Sequence, residues 1–114
     1  YAALGEANLR QGTLLAIGPY RIPNVLVESY LIYTNNTVSS AMRGFGVPQA
    51  CFAWEGHTET IAKRLGMDSF EFRMLNVYET GDTTNAGQVL GSVGLKESMV
   101  KAREAFARER GASR

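Results

Sequence analysis

The stretch Arg43-Gly44-Phe45-Gly46-Val47-Pro48-Gln49 gathers the residue types in this chain that could do chemistry. Glycines on both sides of Phe45 open backbone angles that other residues resist, so the segment can bend tightly and present one aromatic ring. The bend feeds straight into a helix start, since Pro48 suits the first helical position, where its missing N–H costs nothing. Helix starts carry unpaired N–H groups and the positive end of the dipole, and both favour an anion. Arg43 adds a planar, permanently charged donor beside them. The set fits an anionic cofactor next to a planar aromatic ligand. The residues alone also admit a plainer reading, a glycine-rich turn with Phe45 in the core and Arg43 in solvent.

Other candidates carry less. His57 lies between Glu55 and Glu59 in the sequence, but on a helix those carboxylates point away from the imidazole, so a surface histidine is expected rather than a ligand. Cys51 falls on an apolar stripe and is expected to be a buried, inert thiol. Glu79, Asp82, Thr83 and Thr84 offer oxygen atoms for a cation, though a solvated loop is the expectation. Phe52 and Trp54 read as core or interface residues rather than a cofactor box. Asn35-Asn36-Thr37 matches a glycosylation acceptor, which we set aside because nothing suggests secretion. No catalytic residue and no metal ligand is assigned within the chain.

These residues must be held by a small number of elements. Residues 1–17, rich in Ala and Leu, predict a helix or helical turns, stopped by Gly18 and Pro19. From Tyr20 to Thr34 the β-branched and aromatic residues predict one long strand or hairpin. Val25, Val27, Ser29, Leu31 and Tyr33 would share one face, and Leu26, Glu28, Tyr30 and Ile32 the other. Neither face is wholly polar, which predicts cover on both sides. Residues 37–47 form the glycine-rich loop. A helix then runs from Pro48 to about Leu65, with Gly66 as its stop. Asp68 followed by Glu71 resembles a capping box opening a shorter helix to about Val77. Residues 80–92 read as a connecting loop, and a last helix covers Leu95 to about Arg110, with Leu95, Met99, Ala102 and Phe106 on one stripe. The expected class is α+β: a helical start, a strand, the loop, then three helices.

The chain has 114 residues, with 12 basic and 11 acidic side chains and a formal charge of +1. So even a balance argues against nucleic acid as the main partner, which calls for a basic surplus. With 45% hydrophobic residues the chain can bury a core, and no apolar run is long enough for a membrane span. One cysteine excludes an internal disulfide framework, and a cytoplasmic setting is the simplest expectation. Tyr1 in place of a starting Met, and a last segment that runs off a charged helix, suggest an internal piece of a larger protein. A separate interaction module with a structural turn, or a phosphate-binding domain, remain competing readings.

Four motifs in order now carry a resemblance. They are Gly18-Pro19-Tyr20-Arg21-Ile22-Pro23-Asn24-Val25, Tyr33-Thr34-Asn35-Asn36, Ala41-Met42-Arg43-Gly44-Phe45-Gly46-Val47-Pro48-Gln49, and Leu65-Gly66-Met67-Asp68 continuing through Glu71-Phe72-Arg73 and Asn76. Gly87-Gln88-Val89-Leu90 extends the match. The chain resembles the xanthine dehydrogenase/aldehyde oxidase family of molybdenum hydroxylases, in the large cofactor-binding subunit. The resemblance implies that residues 1–114 are a fragment of a molybdopterin-binding domain. It implies an oxidoreductase that hydroxylates a purine-like or other N-heteroaromatic substrate with water as oxygen source, and nicotinate or an aldehyde as the alternative. It also implies a molybdenum–molybdopterin cofactor, with [2Fe–2S] clusters and FAD on partner domains or subunits.

By that resemblance Arg43 lies against the cofactor, in part through its backbone N–H, and Phe45 stacks on the substrate ring. Gly44 and Gly46 would let the main chain approach the metal's oxygen ligands. Met42 stands where many members carry an aromatic residue, a form similar to bacterial purine and nicotinate hydroxylases. The cysteine-bearing loop of the carbon monoxide dehydrogenase branch is absent. Nothing here corresponds to the family's glutamate base, its glutamine near the metal, or its glycine-rich pterin segment. Some purine oxidisers place a substrate-binding arginine just before the strand, but sequence proximity alone leaves Arg10 unassigned.

Overall fold

The computed structural model describes residues 4–37 and 41–112. Expectations for residues 1–3 of the first helical segment and 38–40 of the loop lie outside the described residues. Four helices follow in order: α1 (Gly5–Leu14), α2 (Val47–Arg64), α3 (Ser69–Asn76) and α4 (Leu95–Ala112).

Their ends are set by local chemistry. Pro48 stands in the first turn of α2, as its sequence demands. Gly66, with φ +66°, closes the far end, where its N–H donates to Lys63 O (3.1 Å) and that of Met67 to Ala62 O (3.0 Å). This is a Schellman closure, which needs the left-handed residue that glycine supplies. Asp68 then starts α3 by accepting from the N–H groups of Phe70 (3.1 Å) and Glu71 (3.0 Å). Only half of the expected capping box forms, because the Glu71 carboxylate turns outward to Arg103 of α4 at 2.5 Å.

The core lies where α2, α3 and Tyr20 meet. Tyr20, Ala62, Val77, Tyr78 and Thr58 are buried. Tyr20 and Val77 form an antiparallel bridge, with Arg21 N–H donating to Asn76 O (2.7 Å) and Tyr78 N–H to Pro19 O (2.8 Å). Above it, the Tyr20 hydroxyl donates to Glu55 Oε1 at 2.6 Å, and Arg73 Nε donates to the other oxygen of that carboxylate at 2.8 Å. Arg73 also reaches Ser69 O (3.0 Å) and Glu59 (3.4 Å). Burial, and then the Glu55 carboxylate, push the Tyr20 hydroxyl up to about 12. Burial pulls the Arg73 guanidinium down, but the Glu55 carboxylate outweighs it and the net shift is upward.

The expected long strand is corrected. Residues 21–34 carry no regular secondary structure and bend at 23–24; among the described residues no strand is formed, and the only sheet pairings are the isolated bridges Tyr20–Val77 and Thr83–Val89. The reason is a missing neighbour: β structure is defined by a second strand that takes up N–H and C=O groups, and none lies alongside. Residues 80–92 are tighter than a plain connecting loop. Gly81 N–H donates to Leu90 O, Leu90 N–H to Asp82 O, and Thr84 N–H to Gln88 O, making a short hairpin-like turn.

The radius of gyration is 17.3 Å, whereas a self-contained domain of this length has about 13 Å. The chain exposes 8774 Å², against about 6,200 Å² for a compact monomer of its mass. Part of that excess is α4, whose outer half carries an exposed Phe106 and meets α3 mainly through Arg103, stacked 4.5 Å from the Phe70 ring centre.

Candidate functional site

Arg43, Gly44, Phe45 and Gly46 occupy one bend at the start of α2. Phe45 N–H donates to Met42 O at 2.9 Å and Val47 N–H to Gly44 O at 3.0 Å, two overlapping turns that reverse the chain. Three consecutive residues have positive φ: Gly44 at +99°, Phe45 at +48° and Gly46 at +85°. Phe45 is the one non-glycine residue in that region among those described, a conformation costing an L-residue roughly 1–2 kcal/mol. Strain of this kind persists only where surrounding structure imposes it.

What imposes it is visible at the two glycines. A Cβ on Gly46 would stand 2.5 Å from the backbone oxygen of Asn8 in α1. A Cβ on Gly44 would stand 2.7 Å from the Pro48 ring. Their bareness therefore serves close packing of the bend against α1 and against the first turn of α2. The resemblance assigns that bareness to the approach of a cofactor; the space a Cβ would need is already filled by protein.

The bend still leaves main-chain donors free. The N–H groups of Arg43, Gly44 and Gly46 have no protein acceptor among the described residues, and Arg43 makes no ion pair or side-chain hydrogen bond there. They stand at the head of an 18-residue helix with no acidic residue in its first turn. Arg43 is exposed, so its guanidinium is open to a ligand. Such a donor set fits an oxyanion or a phosphate-bearing cofactor.

Phe45 is 40% exposed rather than buried. Its ring and Gly44 line an open cavity of about 620 Å³, whose other wall is α1 through Leu4, Glu6, Ala7, Arg10 and Gln11. Arg43 and Gly46 are not part of that lining. The plainer reading, Phe45 as core filling, is thereby excluded. The cavity joins an aromatic ring to one cationic and one anionic side chain, a combination suited to a planar, polar ring. The contribution of α1 is not legible in the sequence, since packing of Asn8 on Gly46, which brings this wall into place, joins residues far apart along the chain.

The minor candidates resolve into structure. Glu79 and Asp82 face Arg21, each at 3.8 Å, and Glu79 also pairs with Lys96, so basic side chains fill the place a cation would take. Lys96 holds the Glu79 carboxyl below its ordinary range. No cluster of metal-ligating side chains occurs among the described residues. His57 is exposed, while Glu55 and Glu59 turn to Arg73. Cys51 is half-buried. Phe52 is 86% exposed, so it is no core residue. No described helix is long and apolar enough to cross a membrane.

With this geometry established, comparison with known proteins is decisive about class. Residues 1–77 match the molybdopterin cofactor-binding domain, and the chain belongs to that family. It is 49% identical over 105 residues to the nicotinate dehydrogenase large molybdopterin subunit of Eubacterium barkeri, covering 91% of this chain and 25% of that one. It is 39% identical over 103 residues to a probable xanthine dehydrogenase subunit of Bacillus subtilis, covering 82% of this chain and 14% of that one. The crystal structure of the aldehyde oxidoreductase from Desulfovibrio desulfuricans superposes with a TM-score of 0.88 and 32% identity, over 98% of this chain and 12% of the other. By name these relatives are two dehydrogenase subunits and an oxidoreductase. The chain spans a quarter or less of each of them.

Proposed function

We propose that this chain works within a longer molybdenum hydroxylase catalytic subunit, where its 43–46 bend meets the molybdopterin cofactor and Phe45 meets the substrate. The observation that carries the reading is the bend itself, with N–H groups on one segment that have no acceptor among the described residues and an exposed ring facing a cavity. When bound, the cofactor supplies oxidation of a carbon centre with water as the oxygen source. The chain's own residues hold and orient. The N–H groups of Arg43, Gly44 and Gly46 donate to the anionic cofactor, and the Arg43 guanidinium balances its charge. Phe45 fixes the substrate plane by stacking. The base that removes the substrate proton, the iron–sulfur clusters and the FAD lie on other parts of the enzyme, and the setting is cytoplasmic.

The substrate class we favour is an N-heteroaromatic, purine-like first. A nicotinate-type substrate is the second reading, supported by the 49% identity to the Eubacterium barkeri subunit and by Arg10 on the cavity wall, which suits a carboxylate. Kinetics of the intact enzyme test both. Loss of an aromatic stack worth about 0.5–1.5 kcal/mol makes Phe45→Ala raise KM for aromatic substrates roughly 2- to 10-fold, with little change for an aliphatic aldehyde. An equal effect on both substrates removes the stacking role. Arg10→Ala raises KM for nicotinate but not for hypoxanthine if the second reading holds. Elemental analysis that finds no molybdenum in the purified intact protein refutes the proposal as a whole.

A further inference from the structure

Helix α1 is the most weakly held element that shapes the Phe45 cavity. It has 10 residues, fewer than the roughly 12–15 at which an isolated helix becomes even marginally stable. Gly5 and Gly12 lie within it, and glycine disfavours a helix more than any residue but proline. No side chain caps its start at Leu4, and none of its residues is buried. Helix α3 is shorter still, but Asp68 caps it and Arg73 ties it to Glu55 and Glu59 of α2.

The tethers of α1 are unequal. At its C-terminal end the Thr13 hydroxyl donates to that of Ser29 at 2.7 Å, and Asn85 Nδ2 donates to Leu14 O at 3.1 Å. Towards its other end Leu4, Glu6, Ala7 and Arg10 wall the cavity. No side chain there makes a hydrogen bond or ion pair with another element among the described residues.

Where α1 and the turn after it meet α2, three groups are held at a cost. Asn8 Oδ1 and Trp54 Nε1 are buried with no hydrogen-bond partner, the two side-chain atoms so placed among the described residues. Asn8 abuts Gly46, and the Trp54 ring lies so close to Gly18 that a Cβ there would stand 2.6 Å from it. Next to Gly46, Phe45 keeps its φ of +48°. An unpaired buried polar atom and a left-handed L-residue both oppose the packed state. Unwinding of α1 gives Asn8 access to water and lets the bend relax, and lifting of the following turn does the same for Trp54.

We propose that α1 is a gate: residues 5–12 unwind from the bend while the Thr13–Leu14 end stays anchored, and this local opening sets the rate at which substrate enters the Phe45 cavity. The inference rests on the reading that this cavity takes the substrate. The refolded helix supplies the same wall with and without substrate, so the stability of α1 governs entry rather than affinity.

Residue-resolved amide exchange and substrate kinetics on the intact native protein test this, with molybdenum measured on the same sample. Amides of Asn8 through Gly12 exchange as one group, at least about 100-fold faster than those of Ile61 and Ala62 in α2 once intrinsic rates are corrected for. Gly12→Ala strengthens α1, and its Cβ meets Gly46 O at an unstrained 3.7 Å. It slows exchange of the group about fivefold and lowers kcat/KM about fivefold, with kcat unchanged, for hypoxanthine or nicotinate, whichever the enzyme oxidises. Asn8→Ala, which removes the unpaired carbonyl oxygen, shifts both readouts in the same direction. A slowed α1 with unchanged kcat/KM overturns the gate, and so does a fall in kcat, which belongs to a distorted site rather than to slower entry. A sample without molybdenum overturns the functional reading and the entry role together. A molybdenum-loaded enzyme in which α1 and α2 exchange as one unit overturns this proposal alone.

Discussion

Gly46 and Gly66 form a matched pair for testing whether α1 and the functional bend are one mechanical unit. Both glycines have left-handed backbones, at φ +85° and +66°, so an alanine at either position carries the same conformational penalty. That penalty is roughly 1–2 kcal/mol, offset in part by the roughly 0.4–1 kcal/mol that alanine recovers by restricting the unfolded chain. At Gly66 nothing lies within 4 Å of a new Cβ, so Gly66→Ala should cost at most about 1.6 kcal/mol. At Gly46 the Cβ lands 2.5 Å from the oxygen of Asn8 and 3.3 Å from its carbonyl carbon. Those are helix backbone atoms, which cannot rotate aside as a side chain would. Relief requires α1 to move away from the start of α2, and overpacking of that kind costs a further 1–3 kcal/mol.

Because α1 supplies one wall of the cavity and Phe45 the other, the displacement is felt at the site as well as in stability. In the intact protein, amides of α1 should exchange about tenfold faster or more in Gly46→Ala, and KM for an aromatic substrate should rise. Gly66→Ala should leave both unchanged. Exchange and KM that shift equally in the two variants would refute the coupling, since the penalty would then be purely conformational. A harmless Gly46→Ala would show that α1 does not press on the bend.

Three further outcomes follow from named contacts. Asp68→Ala removes the acceptor for two N–H groups at the start of α3 and should lower stability by about 1 kcal/mol, read by denaturant titration, with Asp68→Asn retaining most of it. The raised Tyr20 pKa of about 12 means the folded state holds that proton more tightly than the unfolded chain, whose tyrosine titrates near 10. The contribution is complete below pH 10 and declines as pH rises from 10 to 12, so Tyr20→Phe should show a shallower loss of stability over that window than the parent; parallel curves would discount the Tyr20–Glu55 contact. The isolated 114 residues should show no turnover even when supplied with molybdopterin and molybdate, and measurable substrate oxidation by them would mean that the catalytic base lies within this chain.

Features governed by short-range chemistry can be read directly from the residues. Pro48, Gly66 and Asp68 fix the ends of α2 and α3 because each acts within one turn of its own position. The Arg43–Gly46 bend is legible for the same reason: glycine spacing and a following proline define a turn without help from elsewhere. The reason for Gly46 is not legible, since Asn8 is distant in sequence and only the packed structure brings its carbonyl against the bend. The Tyr20–Glu55–Arg73 contacts escape sequence reasoning likewise, for they join side chains 35 and 18 positions apart on three separate elements. The strand is the instructive failure. Its alternation is β-forming, but β structure depends on a neighbour, and none lies alongside it among the described residues.

The same logic joins residues 25–29 to the strained bend. Phe45 keeps an unfavourable φ only because Gly46 is pinned against α1, and α1 in turn lies across one face of residues 25–29 through Thr13, Ser29 and the Val25–Val27 cleft. A displacement of residues 25–29 is therefore passed through α1 to the ring that faces the cavity. Removing the Thr13–Ser29 contact by Ser29→Ala should therefore raise KM for an aromatic substrate in the intact protein although Ser29 does not line the cavity. The control is Phe106→Asp on the outer half of α4, 62% exposed and remote from α1. Equal losses from the two variants would break the chain of support from residues 25–29 through α1 to the bend.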